Sequence, residues 1–213
     1  MSAAIVIMGA TSGIGALALE EARATGLRVR AFARSADTIK GDDLIEPVAG
    51  DARSPRDVAN VLQGARAVVY ALGIKERLAM LWEKETLFSE TTKVLLNAMA
   101  SHDVPRLVAV TGYGAGRSRD SMSTVERAGH RLILGGPYRD KDRQEDLIMQ
   151  SDTNWTIVRP VILTNGPKTG RAKAFIDPER WHNGIVSRKD VASFLIKALD
   201  DEQYYRKDVV FRL

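Results

Sequence analysis

The stretch IVIMGATSGIGALALEEA, Ile5–Ala22, decides the fold, because it places three glycines between a short apolar run and a helical pattern. Glycine in a strand or a helix costs conformational entropy, so Gly9, Gly13 and Gly15 indicate positions at which a side chain would be in the way. Their place after an N-terminal strand and before a helix is typical of a turn that holds a phosphate-bearing ligand. A tight turn without a ligand would contain similar residues, so the rest of the chain has to distinguish the two.

Each glycine of this turn has a predicted task. Gly9 permits the tight turn, Gly13 lets the backbone approach a pyrophosphate, and Gly15 lets the helix pack closely on the strand. The amide groups at the start of the helix and the helix dipole favour the negative charge. The residues predicted to bind the pyrophosphate of a dinucleotide here are Gly9, Thr11, Ser12, Gly13, Ile14 and Gly15.

The composition is that of an ordinary globular protein. With 213 residues, 45% of them hydrophobic, the chain can bury a sizeable core, and we expect a single domain over 1–213. The net charge of +4 is too small to indicate a nucleic-acid partner. The sequence has no cysteine, no apolar run of about 20 residues and no metal-ligand spacing among its histidines. We therefore expect a cytoplasmic protein without a metal or a membrane partner, either a monomer or a homodimer.

Apolar runs rich in β-branched residues alternate with helical patterns along the chain. The predicted strands are Ala3–Met8, Arg28–Ala33, Pro47–Ala49, 65–73, 106–112, 155–163 and 208–213 (the last as an edge strand), and the predicted helices are 13–25, 55–63, 83–102, 141–150 and 187–199. Strands that are nearly all apolar are buried on both faces, and strand–helix alternation implies parallel pairing with right-handed crossovers. The predicted fold is therefore α/β, a three-layer, doubly wound parallel sheet whose ligands bind beyond the carboxyl ends of the strands.

The ends of strands two and three carry the predicted contacts to the adenosine half of a dinucleotide. A ribose with a free 2′-hydroxyl usually meets Asp or Glu after strand two, but this chain has Arg34 and Ser35 there. Because an arginine fork matches a 2′-phosphate, we expect NADP(H) rather than NAD(H), with Arg30 as a weaker second candidate. Asp51 and Ala52, after strand three, are expected beside the adenine, although an aspartate is as common in a plain turn.

The ends of strands four to six are expected to surround the rest of the cofactor and the substrate. Strand four supplies backbone along the ribose, strand five supplies hydroxyl groups near the nicotinamide or a substrate carbonyl, and strand six supplies apolar residues that flank the nicotinamide. The residues concerned are, in that order, Ala71, Leu72 and Gly73; Thr111 and Tyr113; and Pro160, Val161 and Leu163. The Thr111 hydroxyl could instead satisfy only local backbone groups. We expect about 112–140 and 160–188 to form a small substrate pocket.

Several segments, in this order and spacing, resemble one protein family. They are GATSGIG, FARS, GDARSPRDVANVLQGARAVVYALG, NWTIVRP and VSRKDVASFLIKAL. Together they resemble the atypical short-chain dehydrogenases/reductases, in the NAD(P)H-binding group that includes flavin reductase (biliverdin reductase B) and NmrA-like proteins. The resemblance implies a Rossmann-type fold, NADP(H) bound by Gly9–Gly15 and Arg34, and a small substrate pocket near the C-terminal segments.

The chain departs from this superfamily at its catalytic motif. Ordinary members use Tyr-x-x-x-Lys, in which the lysine lowers the pKa of the tyrosine and the tyrosine gives the substrate its proton. Lys141 resembles the family lysine, but the matching tyrosine position holds Pro137. Tyr138 is one position away, which on a helix is a rotation of about 100°. Lys141 is therefore predicted to bind the nicotinamide ribose, and the proton donor stays open.

Two functions are compatible with these residues. The first is an NADPH-dependent oxidoreductase that transfers hydride to a small planar acceptor, a flavin, a quinone or a carbonyl compound, with Thr111, Tyr113 and Lys141 as candidate catalytic residues. The resembling flavin reductases also lack the tyrosine and take their proton from solvent, which suits acceptors that stabilise negative charge themselves. The second is a non-catalytic NADP(H)-binding sensor or regulatory protein, which the missing motif favours.

Overall fold

An eight-stranded sheet forms the centre of the computed structural model, which describes residues 3–73, 86–123 and 138–213. In chain order its strands are β1 (Ile5–Met8), β2 (Val29–Ala33), β3 (Ile45–Ala49), β4 (Ala67–Tyr70), β5 (Arg106–Val110), β6 (Asn154–Pro160), β8 (Lys173–Phe175) and β10 (Lys207–Arg212). They lie side by side in the order β3-β2-β1-β4-β5-β6-β10-β8, and every pair is parallel except β10 with β8. A separate parallel pair is formed by β7 (Ile162–Thr164) and β9 (Ile185–Ser187).

Helices cover both faces of this sheet. They are α1 (Gly13–Ala24), α2 (Pro55–Leu62), α3 (Leu87–Ser101), α4 (138–149) and α5 (Arg188–Ala198). Helices α1 and α5 pack against each other on one face, and α2 and α3 on the other. The predicted α/β fold, a doubly wound parallel sheet in three layers, is thereby confirmed. Among the described residues, none of these helices has the length and apolarity that crossing a membrane requires.

The strand residues divide between two buried clusters because successive side chains of a strand point to opposite faces. In β1, Ile5 and Ile7 belong to the cluster under α1 and α5, whereas Val6 and Met8 belong to the cluster under α2 and α3. All four are at most 1% exposed. A strand buried on both faces has to be apolar throughout, which is why β1 reads as a continuous apolar run.

Local capping explains where several helices begin and end. Gly26 adopts a positive φ of 73° and follows α1. The amides of Gly26 and Leu27 donate to the carbonyls of Arg23 and Ala22, the hydrogen bonds of a Schellman motif. The Ser54 hydroxyl accepts from the Asp57 amide at 3.2 Å, which confirms the predicted cap of α2. The predicted start of the third helix, 83–85, lies outside the described residues.

Two strand predictions differ from the structure. The single strand predicted over 155–163 divides into β6 and β7, because the chain changes partners at Val161, whose amide donates to Phe211, and the next amide, of Ile162, donates to Gly184. The C-terminal strand β10 is not at the edge: it lies between β6 and β8, a position that brings Asp208 into the interior.

Candidate cofactor and active site

The sheet has a topological switch point between β1 and β4. From β1 the strand order runs through β2 to β3 on one side, and from β4 through β5 to β6 on the other. Connections that leave in opposite directions open a crevice at the carboxyl ends of these two central strands, where ligands of open α/β sheets bind. Met8 and Tyr70 are register partners at the ends of β1 and β4, so Gly9 and Ala71 both lie at this crevice.

The three glycines after β1 meet three different surroundings. A Cβ on Gly9 would lie 2.6 Å from the Ala71 carbonyl oxygen, and a Cβ on Gly15 would lie 2.1 Å from the Gly9 carbonyl oxygen. Both positions are therefore closed to a side chain by neighbouring backbone. Gly13 has a positive φ of 56° and nothing within 4 Å of the place of its Cβ. The space beside the start of α1 is thus open, and a ligand can approach the backbone there.

The amino end of α1 lacks the side-chain cap that other helices of the chain have. Ser12 occupies the N-cap position, but its side chain makes no capping hydrogen bond, and the first turn of α1 contains no acidic residue. In α2 and α5 the equivalent serines, Ser54 and Ser187, do cap their helices. The first amide groups of α1 and the positive end of its dipole fit a diphosphate, and the open space at Gly13 allows one.

The arginine predicted to bind the 2′-phosphate is exposed, and so is the serine after it. Within the described residues, Arg34 forms no ion pair or side-chain hydrogen bond. Arg30, the second candidate, is already engaged: it forms an ion pair with Glu46 at 3.3 Å and donates to the Val61 carbonyl at 2.9 Å. Of these two arginines, Arg34 is the one with donors left for a ligand.

The other predicted contacts of the adenosine half lie at the same edge of the sheet. Asp51 is exposed, and its Oδ1 accepts from the Arg53 amide at 2.9 Å, the geometry of an ordinary aspartate turn. Ala52 is buried at 7% exposure. After β4, Ala71 and Leu72 are half-buried, and Gly73 is exposed with open space beside it. Contacts of these residues with a cofactor stay predictions.

Lys141 of α4 reaches the carboxyl end of β5. Its Nζ donates to the Thr111 carbonyl oxygen at 2.5 Å and lies 5.1 Å and 5.4 Å from the ring centroids of Phe88 and Tyr138. A Cβ on Gly112 would lie 2.7 Å from the Tyr138 hydroxyl oxygen and 3.6 Å from the Lys141 Nζ. The hydroxyl and the ammonium group therefore both lie beside Gly112, although Tyr138 and Lys141 are three positions apart instead of four. Burial lowers the pKa of Lys141 to about 8.

The Thr111 hydroxyl faces an internal partner. It donates to Glu145 Oε1 at 2.6 Å, and Glu145 also accepts from Arg159 at 2.7 Å and 3.0 Å. Arg159 is fully buried and forms a second ion pair, with Asp208, at 2.7 Å. Because the proton of Thr111 is bound to Glu145, the described contacts do not favour it as a donor to a substrate; its backbone carbonyl orients Lys141.

The charges of this network stabilise one another in a dry interior. Burial alone would lower the pKa of Arg159, but Glu145 and Asp208 outweigh it and raise that pKa. Burial would likewise raise the pKa of Asp208, but the hydrogen bonds and charges of Arg117 and Arg159 lower it below its ordinary value. The ring of Trp181 lies 5.1 Å from the Arg159 guanidinium, so an aromatic face covers the network.

The remaining predicted residues are mostly packed inward. Tyr113 is 5% exposed, its hydroxyl donates to the Ser121 carbonyl at 3.0 Å, and its amide donates to the Pro160 carbonyl at 3.0 Å. Val161 is buried, and Leu163 is half-buried against the core. The structure thus brings the ends of β5 and β6 together, while 124–137 of the predicted substrate pocket, with Pro137, lie outside the described residues. The roles of Tyr113, Pro160, Val161 and Leu163 at the nicotinamide stay predictions.

Sequence reasoning did not identify Gly112, Glu145 or Asp208. A helical spacing does connect Lys141 and Glu145, which are four residues apart and so share a face of α4. Nothing in the sequence next to Asp208 indicates its burial, because its partner Arg159 is 49 residues earlier in the chain.

The fold and the site define a class, the proteins that bind a nicotinamide dinucleotide at the switch point of a doubly wound sheet. A model of the family described as NAD(P)H-binding matches residues 9–202, and the chain belongs to this family. The expected nicotinamide cofactor and the resemblance to atypical short-chain dehydrogenases/reductases are confirmed.

Known relatives are distant in sequence. A protein of Bacillus subtilis named "uncharacterized sugar epimerase YhfK" is 27% identical over 151 residues, which are 70% of this chain and 64% of that protein; the chain thus spans less than two thirds of its length. A short-chain dehydrogenase/reductase from Veillonella parvula, solved in complex with NADP, has a TM-score of 0.81 at 18% identity, covering 100% of this chain and 95% of the other. The anaerobillin reductase ChuY of Escherichia coli has a TM-score of 0.76 at 21% identity, covering 98% and 96%. At these identities the two solved structures show the fold.

Proposed function

We propose that the protein is an NADPH-dependent oxidoreductase that reduces a small planar acceptor, such as a flavin, a quinone or a carbonyl compound. The observation that carries this proposal is that the Tyr138 hydroxyl and the Lys141 ammonium group both lie beside Gly112, at the carboxyl end of β5. Binding of the nicotinamide ribose requires only Lys141, whereas a tyrosine hydroxyl beside the same backbone adds a group that can transfer a proton.

The loop Gly9–Gly15 and the amino end of α1 would hold the pyrophosphate, and Arg34 would bind the 2′-phosphate. The bound dinucleotide supplies the hydride. The exposed, unengaged side chain of Arg34 supports NADP(H) over NAD(H), because a planar guanidinium can donate two parallel hydrogen bonds to a phosphate.

Tyr138 supplies the proton in this proposal. Lys141, with a pKa of about 8, is mostly protonated at neutral pH, and its charge beside the phenol favours the ionised form of Tyr138. A tyrosine whose pKa is lowered in this way passes its proton more readily to the oxygen of an acceptor. The Thr111 carbonyl holds the ammonium group in place. This arrangement would provide the function of the missing Tyr-x-x-x-Lys with a spacing shorter by one residue.

The names of relatives support reduction as the type of reaction. One neighbour in structure is called an anaerobillin reductase, and another is a short-chain dehydrogenase/reductase that binds NADP. The name of the Bacillus protein, a sugar epimerase, refers to a different reaction. The acceptor of this chain is therefore proposed from its own site.

Hydride transfer can be measured by stopped-flow oxidation of NADPH with three acceptors: a flavin, a quinone and a dicarbonyl compound. Tyr138→Phe should slow the dicarbonyl reaction by about 100-fold, the contribution of a general acid. It should change the quinone reaction little, because a reduced quinone takes its proton from solvent. Tyr205→Phe, which removes a hydroxyl from a half-buried tyrosine outside the site, should leave all three rates unchanged.

A second readout needs no cofactor. Ultraviolet titration of the protein alone should show one tyrosine ionising below its ordinary pKa of about 10, and this tyrosine should be absent in Tyr138→Phe and shifted upward in Lys141→Met. Equal dicarbonyl rates for the wild type and Tyr138→Phe would contradict the role of Tyr138. Tight NADPH binding without turnover on any acceptor would favour the sensor instead.

A further inference from the structure

The guanidinium groups of Arg180 and Arg212 both lie against the ring of Phe175, near the carboxyl end of β10. The guanidinium carbons of Arg212 and Arg180 lie 4.1 Å and 4.7 Å from the ring centroid of Phe175. Within the described residues neither the half-buried Arg212 nor the exposed Arg180 forms an ion pair. The Nε of Arg212 is buried without a hydrogen-bond partner. The pair thus has donors and positive charge that the surrounding protein does not satisfy.

Backbone contacts hold the guanidinium group of Arg212 beside Arg180. Arg212 donates to the Leu213 carbonyl at 3.0 Å and to the Arg180 carbonyl at 3.5 Å. Burial and, in addition, the charge of Arg180 lower the pKa of Arg212. Like charges near each other raise the free energy of both groups. A bound anion lowers this free energy and accepts hydrogen bonds from the guanidinium N–H groups that have no partner. Arginine forks recognise carboxylate and phosphate groups in particular.

An exposed aliphatic surface adjoins the pair. Ile162 and Ile185 are register partners in β7 and β9 and are 58% and 54% exposed, and Leu213, whose amide donates to the Ile185 carbonyl, is 41% exposed. The place of a Cβ on Gly184 is 3.8 Å from the Arg212 side chain, so the aliphatic surface and the arginine pair are continuous. Aliphatic side chains grouped at a surface in this way indicate contact with an apolar ligand or partner.

The pair lies at the same edge of the sheet as the proposed active site. Strand β10 runs parallel to β6, which runs parallel to β5, so the carboxyl ends of all three strands meet at one edge. Arg212 ends β10, and Tyr138 and Lys141 lie beside the end of β5. Neighbouring strands are about 4.8 Å apart, and a ligand of two or three fused rings can span the distance between these strands.

We propose that Arg180 and Arg212 form an anion-binding subsite for an acceptor that combines an apolar body with a carboxylate or phosphate group. The apolar body would lie on Ile162, Ile185 and Leu213, and the anionic group would accept hydrogen bonds from the two guanidinium groups. As an acceptor subsite this rests on the proposed reductase function; as an anion site it does not. If the two arginines only shielded Phe175, an anion would find no specific site.

The Nε–H resonance of Arg212 reports on this subsite in protein without NADP(H). We expect 2-naphthoate to shift this resonance saturably, with a Kd about tenfold below that of acetate at matched ionic strength, since the aliphatic surface contributes only to the aromatic ligand. Arg212→Gln identifies the resonance by its loss. Arg180→Gln, a change of an exposed side chain, should raise the Kd for 2-naphthoate about tenfold. Lys197→Gln, which removes an exposed charge from α5, should leave the Kd for 2-naphthoate unchanged.

The outcomes distinguish the possible ligands. If 1-naphthyl phosphate binds more tightly than 2-naphthoate, the anionic group of the acceptor is a phosphate; the reverse indicates a carboxylate. The proposal is overturned if no probe gives a saturable shift, or if Arg180→Gln and Lys197→Gln have the same effect. Failure of the reductase assay with saturable binding here would contradict the proposed function and leave the anion site intact.

Discussion

At the scale of single residues, identical side chains in this chain have different roles because they differ in their contacts. Arg30 and Arg34 are four positions apart at β2, yet Arg30 is bound by Glu46 and by backbone carbonyls while Arg34 is exposed and unengaged among the described residues. An arginine with satisfied donors stabilises the fold, and one with unsatisfied donors at the switch point is available to a ligand. Of these two arginines, the described contacts leave Arg34 available for the predicted contact with the 2′-phosphate, which stays a prediction.

The first prediction concerns Arg34→Glu. Loss of a charge-assisted hydrogen bond, and repulsion of the 2′-phosphate by the new carboxylate, should raise the Kd for NADPH about 100-fold, whereas NADH, which lacks that phosphate, should change little. Calorimetric titration of both dinucleotides measures the two affinities. Lys40→Glu changes the net charge equally at another exposed position and serves as the control. An equal loss for both dinucleotides would show that Arg34 does not contact the 2′-phosphate.

At the scale of elements, the turn before α1 assigns separate tasks to its glycines. Gly9 and Gly15 are required by the packing of backbone on backbone, because a Cβ at either position would approach a carbonyl oxygen to 2.6 Å or 2.1 Å. Gly13 is required by its positive φ and by the open space above it. We therefore expect stability to depend on Gly9 and Gly15, and access of the predicted pyrophosphate to depend on Gly13.

Alanine substitutions separate these tasks. Gly15→Ala should lower the free energy of unfolding by about 3 kcal/mol, since helix and turn must move apart to accept a methyl group. Gly13→Ala should lower it by only about 1 kcal/mol, the cost of a left-handed backbone with a Cβ, but should weaken NADPH binding about tenfold by filling the approach to the helix. Urea denaturation and calorimetry measure the two quantities. Similar losses of stability in both variants would contradict this division.

The elements that the sequence predicts best are those with a strong local pattern. Continuous apolar runs indicated β1, β2 and β4 to within two or three residues, and Gly26 and Ser54 indicated where helices end and begin. Strands β8 and β9 have three residues each, too few for an alternating pattern, and they exist only because β10 and β7 offer partners. The division of β6 from β7 likewise depends on the partners of the chain beyond Val161.

In the candidate site too, the sequence predicts features that are local and misses those that depend on distant parts of the chain. The glycine turn and Arg34 were predictable because their backbone conformation and position after a strand are local properties. Glu145 lies in the charged segment DRQEDLI, which is typical of a solvated helix, and its burial depends on Arg159 from a distant strand. The approach of Tyr138 to Gly112 depends on how α4 packs against the end of β5, which the one-position offset in sequence could not indicate.

At the scale of the whole molecule, a buried network of charges joins the elements around the site. Glu145 comes from α4, Arg159 from β6 and Asp208 from β10, and Thr111 connects them to the end of β5. A Cβ on Gly116 would lie 2.0 Å from Glu145 Oε2, so the loop after β5 packs directly on the network. Because α4 carries Lys141 on the same face as Glu145, the network also helps to position Lys141, the charged neighbour of the proposed proton donor Tyr138.

Removing the central arginine tests this network. Arg159→Met leaves Glu145 and Asp208 buried without their shared counter-charge, and should lower the free energy of unfolding at pH 7 by about 3–5 kcal/mol. Arg117→Met, whose side chain is 59% exposed in its ion pair with Asp208, should cost less than about 1 kcal/mol.

The stability difference between the wild type and Arg159→Met should change with pH in a definite direction. In the wild type the pKa of Asp208 is lowered, so the stability from its ion pairs is fully present above its unfolded pKa and is lost only as pH falls below about 4. In Arg159→Met, Asp208 loses one of the two arginines that offset its burial, so its pKa rises and the variant gains stability relative to the wild type as pH falls from 7 to 5. The difference between wild type and variant should therefore narrow over that interval in denaturant titrations. A constant difference, or an equal loss in Arg117→Met, would mean that packing and not charge makes Arg159 necessary.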